Sequence, residues 1–275
     1  MTWFAIMTVS YALSVVLYAI GMGAALKGRY SLHKHANTAG MWFIVTGLLI
    51  ALLMMGTAWF ESGQPPFKTL YQSIVFFSAT TAIVFLIAAR TIPVFGLATA
   101  LFVVVILIVG FFNRDIDVVE LPPALQSGWF VPHVVVYFFG YSALFASFVT
   151  SILYLKYPGS KKLSDHNPLG LKTLDFHRFS YAMILFGFVM LSLGLVFGAY
   201  WAKLAWGDWW SWDPKENWAL ITWFLYAAYL HMRLVKGIHH RALAWVSIVG
   251  FLAVMFTYLG VNYLPAAAQA LHAYQ

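Results

Sequence analysis

Eight long runs without a charged side chain constrain this chain more than any other feature. They cover residues 1–26, 36–60, 69–89, 91–113, 131–155, 179–202, 217–232 and 242–264. A helix needs about 20 apolar residues to cross the hydrocarbon core of a bilayer. The run 217–232 is shorter, but Arg233 and Lys236 beyond it can reach the membrane surface with their long side chains. We therefore predict an all-α, polytopic membrane protein with about eight transmembrane helices.

The composition agrees with an integral membrane protein along its whole length. Only 9% of the 275 residues are charged, whereas soluble domains contain about 25%. No internal repeat, β-barrel alternation or soluble domain is visible, so we expect a single domain over residues 1–275. The chain contains no cysteine, which excludes disulfides, thiol chemistry and cysteine metal sites. Its apolar beginning predicts a first span rather than a signal peptide.

The distribution of basic residues predicts the orientation. Of the 16 Lys and Arg residues, 12 lie in one set of loops together with only two of the nine acids. The net charge of +7 is spread over short loops, so it does not indicate nucleic-acid binding. The positive-inside rule assigns this set to the cytoplasm, or to the stroma of a plastid, and both termini then face outward. The loops in question are 27–35, the turn at Arg90, 156–178 and 233–241.

Residues 206–218, here called the tryptophan segment, lie on the predicted outer side. They read Trp-Gly-Asp-Trp-Trp-Ser-Trp-Asp-Pro-Lys-Glu-Asn-Trp. Tryptophan is common at membrane interfaces because its ring is amphipathic, but that explains only one or two of these five rings. Flat indoles offer stacking faces to a large planar ligand, and the interleaved charges can meet its polar groups. Gly194 and Gly198, in the run before the segment, suggest plain helix packing.

Two histidines share the predicted outer side with the tryptophan segment. His133 follows Pro132 at the start of the fifth run, and proline favours the first turn of a helix. His272 lies beyond the last run. Two imidazoles on opposite faces of an iron macrocycle form an ordinary bis-histidine haem site. The other loop histidines are expected to be ordinary solvated residues: His33, His35, His166, His239 and His240.

His231 is the one histidine well inside a predicted span. A polar side chain at such depth is costly and therefore points to function. If His231 binds haem, this chain has no second deep histidine to bind the opposite face. The opposite ligand is then missing, comes from His177 at the cytoplasmic edge of the sixth run, or comes from another subunit. We favour another subunit.

Several motifs together resemble one protein family. The tryptophan segment, with the following Trp-Ala-Leu-Ile-Thr-Trp and Leu-His-Met-Arg, is similar to the WWD signature of haem-handling proteins. Pro-Pro-Phe-Lys-Thr-Leu-Tyr-Gln-Ser, Trp-Phe-Val-Pro-His-Val and the terminal Asn-Tyr-Leu and Leu-His-Ala-Tyr are similar to the CcsA (ResC) family of System II cytochrome c biogenesis. The resemblance covers essentially all eight runs.

The resemblance implies export of haem b, iron protoporphyrin IX, and attachment of its vinyl groups to the Cys-x-x-Cys-His cysteines of apocytochrome c. It implies haem ligands at His133, His272 and His231, with Trp218 also in the cofactor site. By the same resemblance, the predicted catalytic residues are Trp206, Trp209, Trp210, Trp212, Asp213 and Glu216.

The resemblance also implies partners and a location. A CcsB (ResB) type membrane protein would supply the second transmembrane haem ligand. Because this chain lacks cysteine, other proteins must reduce the apocytochrome thiols. The expected setting is the lipid of a bacterial plasma membrane or a thylakoid, with the active site facing outward.

Two other functions remain open. A haem carrier similar to CcmC-type delivery proteins would share the tryptophan signature but lack ligation activity. A proton-coupled transporter or a redox-complex subunit would need acidic side chains inside the spans, and the eight runs contain none.

Overall fold

The computed structural model describes residues 2–67, 69–113, 127–157, 175–235 and 239–265, and their regular structure is entirely helical. Prolines and glycines mark several helix ends. Pro93 and Pro214 stand at the first helical position of their helices, and Gly63 closes another in the left-handed conformation, as their backbone preferences favour. The helices are α1 Thr2–Leu26, α2 Tyr30–Ser62, α3 Leu70–Ala88, α4 Pro93–Phe112, α5 Phe130–Lys156, α6 Phe176–Trp206, α7 Pro214–Leu234 and α8 His240–Tyr258, followed by a short 3-10 helix, Gly260–Tyr263.

Seven of these helices, all except α7, are long and apolar enough to cross a membrane. The predicted all-α, multi-pass architecture is therefore confirmed in the part of the chain that the structure describes. α7 differs because charged and amide side chains occupy both of its ends, and tyrosine and tryptophan replace aliphatic residues along it. The predicted orientation of the termini stays a prediction.

The helices fall into two compact units, α1 to α4 and α5 to α8. In the first unit, α1 and α2 pack closely because small residues of one helix receive large or polar side chains of the other. The Ser14 hydroxyl donates to the Gly40 carbonyl at 2.8 Å, and a Cβ atom at Gly47 would lie 2.5 Å from the Tyr11 ring. Such small-residue contacts and hydroxyl bonds hold helices together where no hydrophobic driving force acts. Whether the chain acts as one functional domain stays a prediction.

In the second unit, α5 packs against α6 and α8, and α7 packs against α6 and α8. Buried hydroxyls from several helices meet in its interior, where Ser147 bonds both Ser180, at 2.9 Å, and Ser247, at 2.8 Å. Each hydroxyl in this cluster satisfies another one, which an apolar interior requires. The cluster therefore links α5, α6 and α8 at one depth.

α7 runs antiparallel to α8 over most of its length. Trp218 contacts Phe256, with 4.3 Å between ring centroids, and the Tyr226 ring packs at Gly250. On its other side, the Trp223 indole N–H donates to the Ser192 hydroxyl of α6 at 2.8 Å. α7 therefore extends through the same depth as the apolar helices beside it, although its own hydropathy does not single it out.

Candidate functional site

His133 lies in the first turn of α5, and α6 holds its imidazole. The Nδ1 atom is 2.9 Å from the carbonyl oxygen of Gly194. Because a carbonyl oxygen only accepts hydrogen bonds, Nδ1 must carry the proton, and the lone pair then resides on Nε2. A backbone carbonyl that accepts from one ring nitrogen is the usual support behind a histidine that binds metal through the other. His133 therefore has the tautomer and the support of an Nε2 metal ligand.

Gly198 makes room for this imidazole. A Cβ atom there would lie 2.6 Å from Cε1 and 2.7 Å from Nδ1 of His133. At Gly194, one turn earlier, a Cβ atom would lie 2.6 Å from the Tyr137 ring. The predicted role in helix packing fits both glycines, since each faces a side chain of α5, but the partner of Gly198 is the His133 ring. The four-residue spacing alone did not indicate this difference.

Aromatic contacts connect His133 with the tryptophan segment. The His133 ring centroid is 5.6 Å from that of Trp201, and Trp201 is 4.8 Å from Trp206. A second aromatic contact joins Tyr200 and Trp209, whose ring centroids are 5.8 Å apart. The segment and His133 thus lie at the same end of the second unit, as the sequence predicted. Trp201 and Tyr200 were not among the predicted site residues, although they lie only one to two turns before the segment.

Asp213 and Glu216 build the start of α7. The Asp213 carboxylate accepts from the Glu216 backbone N–H at 2.9 Å. Glu216 in turn accepts from the Asp213 N–H at 3.3 Å and from Ser211, whose N–H is at 2.8 Å and whose hydroxyl is at 3.1 Å. This reciprocal capping box satisfies helix N–H groups that otherwise have no partner. Both carboxylates are buried, so their described bonds shape the segment.

Trp212 has an unusual backbone conformation within the segment. Its φ angle is +60°, a left-handed conformation that costs a non-glycine residue about 1–3 kcal/mol. The Asn217 side-chain amide donates to the Trp212 carbonyl at 2.8 Å and holds this conformation. The Trp212 side chain is 68% exposed and that of Trp209 is 54% exposed. The fold therefore presents large apolar rings at the surface at the cost of backbone strain.

The side chains of Trp210 and Lys215 are half-buried within the segment. The Trp210 indole nitrogen has no hydrogen-bond partner among the described residues, and a buried N–H donor without an acceptor is costly. Lys215 lies two residues before the apolar run 217–232 begins. Burial lowers the pKa of the Lys215 ammonium from 10.5 to about 8, and the Asp213 carboxylate opposes that shift. The segment therefore contains a buried donor and a lysine whose charged form is disfavoured by burial.

The other predicted ligands lie elsewhere or outside the described residues. Trp218 packs on Phe256 of α8. His231 is exposed in the last turns of α7, about 27 Å along the helix axis from Asp213 at a rise of about 1.5 Å per residue. The structure therefore does not bring His231 together with His133. His272 falls in the range 266–275, outside the described residues, so the predicted pairing with His133 is untested.

Within the described ranges, no three His, Cys, Asp or Glu side chains cluster in a way that would hold a metal ion. A site that uses His133 must therefore combine its imidazole with the aromatic surface or with a ligand from beyond the described ranges. This arrangement suits a planar macrocycle that brings its own metal better than it suits a bare ion.

Comparisons with known proteins identify the family of this chain. A family model described as Cytochrome C assembly protein matches residues 67–268. The chain is 36% identical over 282 residues to the cytochrome c biogenesis protein CcsA of Prochlorococcus marinus (strain MIT 9301), covering 93% of this chain and 88% of that protein. It is 34% identical over 273 residues to CcsA of Guillardia theta, covering 88% and 87% of the two chains. The chain belongs to the cytochrome c assembly protein family and, within it, to the CcsA proteins.

A solved structure has a related fold. The cytochrome c haem lyase CcmF matches with a TM-score of 0.56 and 18% sequence identity over 95% of this chain. This chain spans about half of that structure, since 51% of CcmF is covered. At this identity the likeness concerns the fold alone. The family predicted from the sequence motifs is confirmed.

Proposed function

We propose that this chain serves cytochrome c biogenesis by binding haem b beside the tryptophan segment and promoting its covalent attachment to apocytochrome c. The single observation that carries the proposal is the His133 imidazole. Its Nδ1–H donates to the Gly194 carbonyl, so Nε2 carries the lone pair through which this imidazole would bind the haem iron. Membership of the family and the surface of exposed rings support the same function.

The aromatic residues would hold the substrate. A haem edge can rest against the rings of Trp209 and Trp212, which are more than half exposed, because porphyrin and indole faces stack favourably. The buried Trp210 N–H is a suitable donor to a propionate carboxylate. His272 is proposed as the second axial ligand, and the pair of imidazoles would keep dioxygen from the iron.

The proposed reaction needs positioning more than acid or base groups. Each cysteine S–H adds across a vinyl double bond, so that sulfur bonds the carbon next to the macrocycle and hydrogen goes to the terminal carbon. No electron enters or leaves in this addition, provided that other proteins have reduced the thiols. The histidine of the incoming Cys-x-x-Cys-His motif would replace one axial imidazole and present both thiols at the vinyl edges. Such positioning can lower a reaction barrier by several kcal/mol.

Asp213 and Glu216 act through the shape of the segment in this proposal. Their carboxylates accept hydrogen bonds from the backbone N–H groups at the start of α7 and from the N–H of Ser211. We therefore assign both as positioning residues for the neighbouring tryptophans. Trp206, through Trp201, would connect the segment to the His133 ring.

His231 belongs to a second part of the proposal. It is exposed on α7, about 27 Å from the capping box at about 1.5 Å per residue, which suits a separate haem position near the opposite end of the second unit. A CcsB-type partner would provide the opposite ligand there. The tryptophan segment would face outward from a plasma membrane or thylakoid, since the basic loops lie at the other helix ends.

Absorption spectra of the purified complex test the binding step. The wild-type protein should contain low-spin haem with imidazole ligands, and His133→Ala should lose most of the haem held beside the segment. His35→Ala is a matched control, because His35 is an exposed histidine whose Nδ1 bonds only its own helix at Ser31. Equal haem content in the two variants would contradict the proposal.

A cell assay tests the ligation step. The chain and its partner would be expressed with a Cys-x-x-Cys-His apocytochrome in cells without any other cytochrome c maturation system. We expect haem that stays on the cytochrome after denaturation, and loss of that product with His133→Ala. Haem delivered outside the cell without a covalent product would instead identify a carrier.

A further inference from the structure

Two histidines stack at the end of the second unit opposite the tryptophan segment. His177 is the second residue of α6 and His240 is the first residue of α8. Their ring centroids are 3.9 Å apart, with 34° between the ring planes. The ring of Tyr154, from α5, contacts His177 at 4.8 Å. At about 1.5 Å per residue, His177 lies about 43 Å along α6 from Trp206.

This pairing differs from what the sequence suggested. His240 was expected to be an ordinary surface histidine, and His177 was one candidate for the ligand opposite His231. In the structure, the His177 ring contacts His240 and Tyr154. Two imidazoles from helices that start 64 residues apart in the chain are thus brought into contact by tertiary packing.

The charges near the pair limit what can bind there. Arg178 and Arg241 each follow one of the two histidines directly in the sequence. An excess of positive charge disfavours a bare divalent cation, whereas guanidinium groups bind carboxylates in a bidentate manner. An iron porphyrin satisfies both features, because its iron takes imidazole and its two propionates are carboxylates. At these helix ends the described charged residues are Lys156, Asp175, Arg178, Arg233 and Arg241.

The pair lies at nearly the same depth as His231. The Tyr229 hydroxyl is 3.5 Å from that of Ser180, which sets α6 and α7 in register. His177 is three residues beyond Ser180 and His231 is two residues beyond Tyr229, both toward the same end of the unit. A rise of about 1.5 Å per residue then places His177 and His231 within one helical turn in depth.

We propose that His177 and His240 form an entry site for haem, from which haem passes to His231. One imidazole of the pair binds the iron while the adjacent arginines bind the propionates. This inference rests on the proposed function, since it assigns to haem the place where it first meets this chain.

The test uses the full chain in lipid nanodiscs, with His133, His231 and His272 all replaced by alanine to remove the other proposed ligands. Ferric haem should still bind and give an imidazole-type spectrum. His177→Phe/His240→Phe should weaken this binding at least tenfold, while phenylalanine keeps the ring contacts with Tyr154. His239→Phe is the matched control, because His239 is an exposed histidine one residue away. Thermal unfolding of each variant shows that the fold is retained.

Two further ligands separate the chemistry of the site. Haem dimethyl ester, which lacks free carboxylates, should bind more weakly than haem, and Zn²⁺ alone should not bind tightly. Tight Zn²⁺ binding that depends on the pair would replace the proposal with a metal-ion site. If the double variant unfolds, His177→Phe and His240→Phe are titrated separately, and the variant that lacks the iron-binding imidazole should show the loss, whereas two unaffected single variants would overturn the entry site.

The haem entry site and the proposed function can fail independently of each other in these experiments. If the pair variant and His239→Phe bind haem equally well, the entry site is wrong even where His133→Ala abolishes haem beside the segment. If His133→Ala has no effect in an otherwise wild-type chain, the proposed function fails, whatever the pair does.

Discussion

Replacing Gly198 by alanine tests the support of His133 with one added methyl group. The new Cβ atom would lie 2.6 Å from Cε1 of the imidazole, whereas ordinary contacts begin near 3.4 Å. The ring must therefore retreat by about 0.8 Å, which stretches its 2.9 Å bond to the Gly194 carbonyl beyond hydrogen-bond length. Loss of a bond that orients a metal-binding histidine typically lowers metal affinity 10- to 100-fold. We expect haem affinity beside the tryptophan segment to fall at least about tenfold.

Spectroscopic haem titration of the purified complex measures this loss, and Gly187→Ala provides the control. A Cβ atom at Gly187 would lie 2.6 Å from Leu144, so this variant crowds the same α5–α6 interface without touching His133. Unchanged affinity in Gly198→Ala would refute the reasoning. An equal loss in both variants would also refute it, because the cause would then be general crowding.

Three further predictions concern the tryptophan segment. Glu216→Gln should lower thermal stability and haem affinity together. The buried Glu216 carboxylate accepts hydrogen bonds from Ser211 and Asp213, and each charge-assisted bond contributes about 1.5–3 kcal/mol at most. An unchanged melting temperature would contradict the capping role. Trp212→Gly should relieve the strain of the +60° φ angle and raise the unfolding free energy by about 1 kcal/mol. The same variant should weaken haem binding in the spectroscopic titration. A stabilised variant with unaltered haem affinity would show that the Trp212 ring does not contact haem. For Lys215, the folded pKa of about 8 lies below the usual 10.5, so the unfolded chain binds more protons and the unfolding free energy should rise between about pH 8 and 10.5. Lys215→Met should flatten this rise in the unfolding free energy, which thermal unfolding at a series of pH values measures. An identical pH dependence in the wild-type protein and the variant would show that Lys215 is not its source.

The sequence alone determined the helical architecture and the position of the candidate site along the chain. Charged residues limit apolar helices in a bilayer because burying a charge in hydrocarbon is costly, so the ends of the runs could be read directly. The start of α7 at Pro214 was not predicted, although Asp213, Pro214 and Glu216 form a local capping pattern. The seventh span was the weakest of these predictions because its tyrosines and tryptophans gain their environment from α6 and α8.

Only the tertiary structure decided which side chains meet. The His133 imidazole is held by a carbonyl 61 residues away, and the stack of His177 on His240 depends on how α6 and α8 are rotated about their axes. In a membrane helix nearly every face is apolar, so periodicity carries little information about rotation. The close contacts of Gly198 and Trp201 with His133, and the bonds of Ser147 to Ser180 and Ser247, fix that rotation, because tightly packed side chains and paired buried hydroxyls tolerate little displacement.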